Sequence, residues 1–124
     1  MSEELRGIVV AHGGLAQALV DEAERISGQT GVFTAVSNSG GGKDEIEARI
    51  HAAVGGHPAV VFVDMPCGSC FFAAMHLAKA DAAVRVVTGV NLPMLLDFVY
   101  NHALPPEEGA ERAAVKGHDA IRKP

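Results

Sequence analysis

Four short runs of β-branched and small apolar residues punctuate this chain, and each gives way to a segment in which apolar residues recur at helical spacing. The runs are Arg6 to Ala11 (RGIVVA), Val32 to Val36 (VFTAV), Ala59 to Val63 (AVVFV) and Val84 to Thr88 (VRVVT). Runs this short and this apolar read as buried strands. After the first, Leu15, Leu19, Ala23 and Ile26 recur at spacings of four, four and three, as one apolar helix face would, and Gly28 closes the segment. Ile46, Ile50 and Val54 mark a second helix over Lys43 to Val54, ended by Gly55-Gly56. A third helix lies within Cys67 to Ala80, and a short one, introduced by Pro93, covers Leu92 to Tyr100. Beyond Pro105-Pro106 a more polar helix runs from Glu107 to Ile121. Strict strand–helix alternation predicts the α/β class: an open, mainly parallel four-stranded sheet with helices on both faces, joined by right-handed crossovers. At 124 residues, with no internal repeat, linker or low-complexity tail, residues 1–124 read as a single domain with one core.

Charge and composition exclude several functions. The formal net charge is -5, Trp is absent, and there are five Phe and one Tyr. A nucleic-acid binder needs a basic face and aromatic platforms, and this chain offers neither. An acidic balance suits a partner with a basic docking surface. No apolar stretch approaches the roughly 20 residues that span a bilayer, so no direct membrane insertion is expected. The opening Met1-Ser2-Glu3-Glu4 is acidic and runs into a strand, unlike a signal peptide. The chain therefore reads as cytoplasmic, with its two cysteines reduced.

The strand ends carry the chemistry. The first run stops at His12, followed by Gly13-Gly14 and a helix. The third stops at Asp64, followed by Met65-Pro66-Cys67-Gly68-Ser69 and another helix. In open parallel sheets ligands bind at this carboxyl edge, and the free N–H groups of helix starts favour anions such as phosphate. If the two strands are neighbours, the Asp64 carboxylate can accept a hydrogen bond from one imidazole nitrogen of His12. That fixes the tautomer and leaves the other nitrogen free to attack. The backbone of Gly13 and Gly14, with Gly68 and Ser69, would cradle the phosphoryl oxygens, Ser69 also capping its helix. Taken singly, His12 is equally a loop histidine without a role, and Asp64 a turn former; their matching positions make the case.

Other constellations are weaker. His51, His57, His76, His102 and His118 are scattered, and none pairs with Cys, His or carboxylate at a recognisable zinc spacing, so no metal is expected. Gly40-Gly41-Gly42-Lys43 lacks the spacing of a nucleotide phosphate loop. Cys67 and Cys70 form a CxxC at a helix start, which supports an alternative reading as a thiol or redox-sensing module. Thioredoxin-like motifs, however, follow the first strand of their domain, and this one follows the third.

Three stretches together resemble the mannose-type IIA domain of the bacterial phosphoenolpyruvate-dependent sugar phosphotransferase system: Ile8 to Leu19 (IVVAHGGLAQAL), Val61 to Ala74 (VFVDMPCGSCFFAA) and Thr88 to Phe98 (TGVNLPMLLDF). They occur in the family's order and span nearly the full length. The resemblance implies that His12 accepts a phosphoryl group from the phosphocarrier protein HPr and passes it to a IIB component for sugar uptake and phosphorylation, or serves a regulatory role. Asp64 would orient His12 and Ser69 would help hold the phosphoryl group. No metal or organic cofactor is implied, since the group moves directly between side chains. The family fold adds an antiparallel edge strand, and members pair as homodimers exchanging a C-terminal strand; Ala120 to Pro124 is short for one. The chain departs from the family's Gly-Gly-Ser-Pro turn, with Cys67-Gly68-Ser69-Cys70 in its place.

Overall fold

The computed structural model describes residues 4–124; Met1 to Glu3, the start of the acidic N-terminal segment, lie outside the described residues. The strands are β1 (Arg6–Ala11), β2 (Phe33–Ser37), β3 (Ala59–Val63) and β4 (Val84–Thr88). The helices are α1 (Leu15–Ser27), α2 (Lys43–Val54), α3 (Gly68–Ala80), α4 (Leu92–Tyr100) and α5 (Pro106–Asp119). The sheet order is β2-β1-β3-β4, with every neighbouring pair parallel. This is the open parallel α/β architecture expected from the alternation. The antiparallel edge strand that the resemblance implied is absent among the described residues, and Ala120 to Pro124 forms no strand. No helix among the described residues is long and apolar enough to cross a membrane.

Strand residues alternate between two hydrophobic layers, as the two-residue period requires. Val9, Phe33, Val60, Phe62 and Val87 pack beneath α1, α4 and α5. Ile8, Val10, Val36, Val61, Val63 and Val84 pack beneath α2 and α3, which contribute Ile46, Ile50, Val54, Cys70, Ala73, Ala74 and Leu77. β1 and β3, in the centre, are covered on both faces, which is why they read as unbroken apolar runs.

One helix face departs from the expectation. The buried residues of α1 are Ala16, Val20 and Ala23, whereas Leu15 and Ile26 are exposed. Leu19 is partly buried against the core. The four-residue spacing of the bulkier residues pointed to a stripe rotated from the true one. Small side chains at Ala16 and Ala23 let α1 lie close to the sheet, and the leucine at its first turn is left at the rim.

An aromatic cluster organises the layer under α4. The Phe62 and Phe98 rings meet edge to face with centroids 5.1 Å apart, and Phe33 lies 5.8 Å from Phe98. Gly7 explains the fit: a Cβ there would stand 2.6 Å from Phe33 Cδ1 and 3.0 Å from Phe98 Cε1. A glycine inside a strand weakens it, and here it admits the close approach of two rings. Removing the Phe98 ring, which is 1% exposed, leaves a cavity in this cluster. Phe98→Ala is expected to cost about 3–5 kcal/mol, read from the midpoint of urea denaturation; a loss below about 1 kcal/mol would mean the cluster relaxes to fill the space.

Candidate functional site

The sheet order reverses direction at one place. α1 leaves β1 toward one face and α3 leaves β3 toward the other, so the loops after these adjacent strands part and open a crevice at the carboxyl edge. The register sets what stands there. Val10 pairs with Val63, and the Asp64 N–H donates to the Val10 carbonyl at 3.3 Å. Asp64 therefore sits one residue beyond the ladder on β3, and His12 just beyond it on β1.

The two side chains meet. Asp64 Oδ2 lies 2.8 Å from His12 Nδ1 and accepts the His12 backbone N–H at 3.1 Å. One carboxylate oxygen thus holds both the ring and the backbone of the same residue. An ionised carboxylate only accepts, so Nδ1 is the donor and the lone pair falls to Nε2. The His12 side chain is 45% exposed and that of Asp64 9%. The second oxygen, Asp64 Oδ1, is buried with no hydrogen-bond partner among the described residues.

The glycines behave differently from one another. Gly13 has φ +58, a conformation that L side chains rarely adopt, and it turns the chain from β1 into α1. Its N–H is committed to Asn38 Oδ1 at 3.0 Å and its carbonyl accepts from Ser37 Oγ at 2.8 Å. Gly13 therefore shapes the loop and does not offer its amide to an anion, contrary to the expected cradle. Gly14 is the N-cap of α1, with no side-chain cap there. Its amide and those of Ala16 and Gln17 have no acceptor among the described residues. Gly68, at φ +87, opens α3, and its N-cap is Cys67 in extended conformation. Ser69 is the second residue of α3, so it does not cap the helix as expected; a cap must precede the first helical residue. It is partly buried.

Ser37 and Asn38, which hold the loop after His12, are the site positions that reading the sequence missed. Besides gripping Gly13, this segment ties Asn38 N–H to the Ala11 carbonyl at 3.3 Å. Arg49 from α2 holds it in turn, its Nη1 donating to the carbonyls of Ser37 at 2.8 Å and Ser39 at 2.9 Å. Ser37 to Gly42 looks like an ordinary turn by composition. Its usable signal was position: a loop following a strand paired with β1 leaves the sheet at the same edge as His12.

Cys67 is exposed, Cys70 is fully buried, and both are free thiols. Burial, followed by the charge of Asp64, pushes the Cys70 thiol above its ordinary range. His76 pairs with Glu47 on the exposed surface of α2 and α3.

Residues 7–120 match the protein family described as "PTS system fructose IIA component". The chain is 32% identical over 108 residues to the sorbose-specific EIIA component of the PTS system from Klebsiella pneumoniae, covering 84% of this chain and 80% of that protein. Its fold is similar to that of the phosphotransferase system component EIIA from Streptococcus agalactiae, at TM-score 0.88 and 19% identity over 96% of each chain. The mannose/sorbose-specific IIA subunit from Enterococcus faecalis superposes at TM-score 0.86 and 20% identity, covering 98% of this chain and 96% of that one.

The two thiols are expected to react very differently. A raised thiol pKa lowers the thiolate fraction at any given pH, and burial blocks access. With iodoacetamide near pH 8, mass spectrometry of the native protein should show Cys67 alkylated while Cys70 remains unmodified, Cys70 reacting only as the pH rises further or the fold opens. Equal labelling of both would contradict the burial of Cys70.

Proposed function

This chain belongs to the mannose-type IIA family of the bacterial sugar phosphotransferase system, and we propose that His12 is its phosphoryl acceptor, taking the group from phospho-HPr and passing it to a IIB component. The observation that carries the reading is the 2.8 Å approach of Asp64 Oδ2 to His12 Nδ1 beside an exposed ring face. With the Nδ1 proton engaged, Nε2 attacks phosphorus; the bond between phosphorus and the donor histidine breaks as the Nε2–P bond forms. No proton leaves His12 in this step. The ring acquires imidazolium character, and the Asp64 carboxylate beside Nδ1 balances it. The dianionic oxygens meet the open amides at the start of α1, from Gly14 on, together with Gly68 and Ser69 at the start of α3. Helix N-termini favour such charge. Positioning and preorganised dipoles supply the catalysis, without a metal or organic cofactor. The acidic chain suits a basic docking face on its donor. The protein works in the cytoplasm as a homodimer, in uptake or in a regulatory branch of the system; the sugar is chosen by other components.

The alternative, a thiol sensor built on Cys67 and Cys70, requires the second thiol to react. Its burial and its upward-shifted ionisation disfavour that.

The test is reconstitution with phosphoenolpyruvate, enzyme I and HPr, followed by mass spectrometry at neutral or alkaline pH, which preserves phosphohistidine. His12→Ala should abolish labelling while leaving the circular dichroism spectrum unchanged; labelling that persists elsewhere would overturn the assignment. Asp64→Asn removes one charge-assisted hydrogen bond, of about 1.5–3 kcal/mol, and should slow phosphorylation roughly 10- to 150-fold without abolishing it. An unchanged rate would remove Asp64 from the mechanism.

A further inference from the structure

The His12–Asp64 pair has a third neighbour that phosphoryl transfer does not use. Sγ of Cys70, one carboxylate oxygen of Asp64 and one ring nitrogen of His12 all lie within 4.8 Å of one another. They come from three separate places: the residue after β1, the residue after β3 and the first turn of α3. Sequence spacing conceals the group, because positions 12, 64 and 70 match no recognised ligand pattern.

A second, independent observation points to a ligand here. The Asp64 side chain is only 9% exposed, and its Oδ1 is buried without a hydrogen-bond partner among the described residues. A buried carboxylate oxygen left unmatched is costly, and a cation is the partner that offsets this most strongly. The adjoining sulfur belongs to a fully buried, unpaired cysteine. The remaining side, toward the exposed ring of His12, opens to solvent.

We propose that His12, Asp64 and Cys70 form a binding site for one divalent cation of the zinc class, with the fourth coordination position left to water. One nitrogen, one oxygen and one sulfur suit a borderline-soft ion and disfavour magnesium or calcium, which take oxygen ligands. Bond lengths of about 2.0–2.3 Å in tetrahedral geometry set the donors roughly 3.3–3.6 Å apart. The orphaned Oδ1 is the oxygen donor and turns to the ion while Oδ2 keeps the His12 backbone N–H, and the sulfur, now within 4.8 Å of the other donors, must close by roughly 1.2–1.5 Å at most. Small side-chain rotations provide both movements. The proton balance is simple. The cation displaces the Cys70 proton, offsetting the burial and the Asp64 charge that otherwise keep this thiol protonated: the S–H bond breaks, the proton passes to solvent, and a sulfur–metal bond forms. The neutral imidazole moves its proton from Nδ1 to Nε2 and gives the Nδ1 lone pair to the metal. Asp64 supplies an existing lone pair, and nothing is oxidised or reduced.

One consequence rests on the phosphotransfer reading. With Nε2 protonated, the ring has no lone pair for phosphorus, so the cation and the phosphoryl group exclude each other.

The site is tested without any phosphotransfer component. The full chain, kept reduced by a non-chelating phosphine, is titrated with Co²⁺ as a spectroscopic substitute for zinc. One equivalent should produce the near-ultraviolet thiolate-to-cobalt charge-transfer band, and zinc should remove it. Cys67→Ser should retain the band, since Cys70 is then the only thiol in the chain. Cys70→Ser should lose it, and His12→Ala should weaken cobalt binding at least about tenfold, or about 1.4 kcal/mol. Circular dichroism checks each variant; if Cys70→Ser fails to fold, Cys67→Ser and His12→Ala decide the matter. Absence of the band in the native chain, its survival in folded Cys70→Ser, or its loss in folded Cys67→Ser would overturn the site. In a separate arm, zinc should block phosphorylation of His12. Failure to phosphorylate even without zinc would count against the phosphotransfer reading and leave the cobalt result standing; phosphorylation unaffected by bound zinc would overturn the exclusion.

Discussion

The hydrogen bond from His12 Nδ1 to Asp64 Oδ2 spans the point where the sheet changes direction, and the local architecture serves to hold its two ends in place. The same oxygen also receives the His12 backbone N–H, so the ring and the chain that carries it are referenced to one acceptor. A charged acceptor strengthens such bonds, and the ring contact, at 2.8 Å, is the shorter of the two. An imidazole tied at one nitrogen presents the other at a defined place, which is what transfer between proteins requires.

Such a pair needs rigid support, and the two central strands supply it. β1 and β3 are buried on both faces, by α1, α4 and α5 on one side and by α2 and α3 on the other. Apolar layers on each side lock the register, because a slip of one residue would reverse every side chain. Locked register puts Asp64 and His12 side by side. The β2 loop adds a lateral restraint, with Ser37 and Asn38 engaging both polar groups of Gly13, and Arg49 engaging that loop. His12 is thus braced from β3 by a carboxylate, and the glycine after it is held from β2 by the Ser37–Asn38 clamp. The Cys70 thiol lies within 4.8 Å of both side chains.

Much of this was legible in the sequence, for identifiable reasons. Strands buried on both faces read as unbroken apolar runs, so Arg6–Ala11 and Ala59–Val63 were placed at their observed bounds, and the β-branched run Val84–Thr88 was too, although it is a half-buried edge strand. His12 and Asp64 stood out as the polar residues that end such runs. What escaped depended on three-dimensional adjacency or on competition between similar signals. The α1 stripe was read as Leu15, Leu19, Ala23 and Ile26; Ala23 is buried and Leu19 partly so, but close helix–sheet packing selected Ala16 and Val20 and left Leu15 and Ile26 exposed. Gly13 was expected to donate its amide, but the chain's own Asn38 claims it. Ser69 was expected to cap α3, but the helix starts two residues earlier than that would require, at Gly68, and Cys67 takes the cap position. The His12–Asp64–Cys70 group could not be read at all, since its members are brought together only by the β1–β3 pairing and the first turn of α3.

The tautomer of His12 is the property on which the proposed chemistry turns. Long-range nitrogen–proton correlation NMR of the metal-free, unphosphorylated protein, at a pH where the ring is neutral, reads it directly. If Asp64 holds the ring, Nδ1 will carry the proton and Nε2 will show the shift of an unprotonated, pyridine-like nitrogen. A His12 ring protonated at Nε2, or averaging between tautomers like free imidazole, would contradict it.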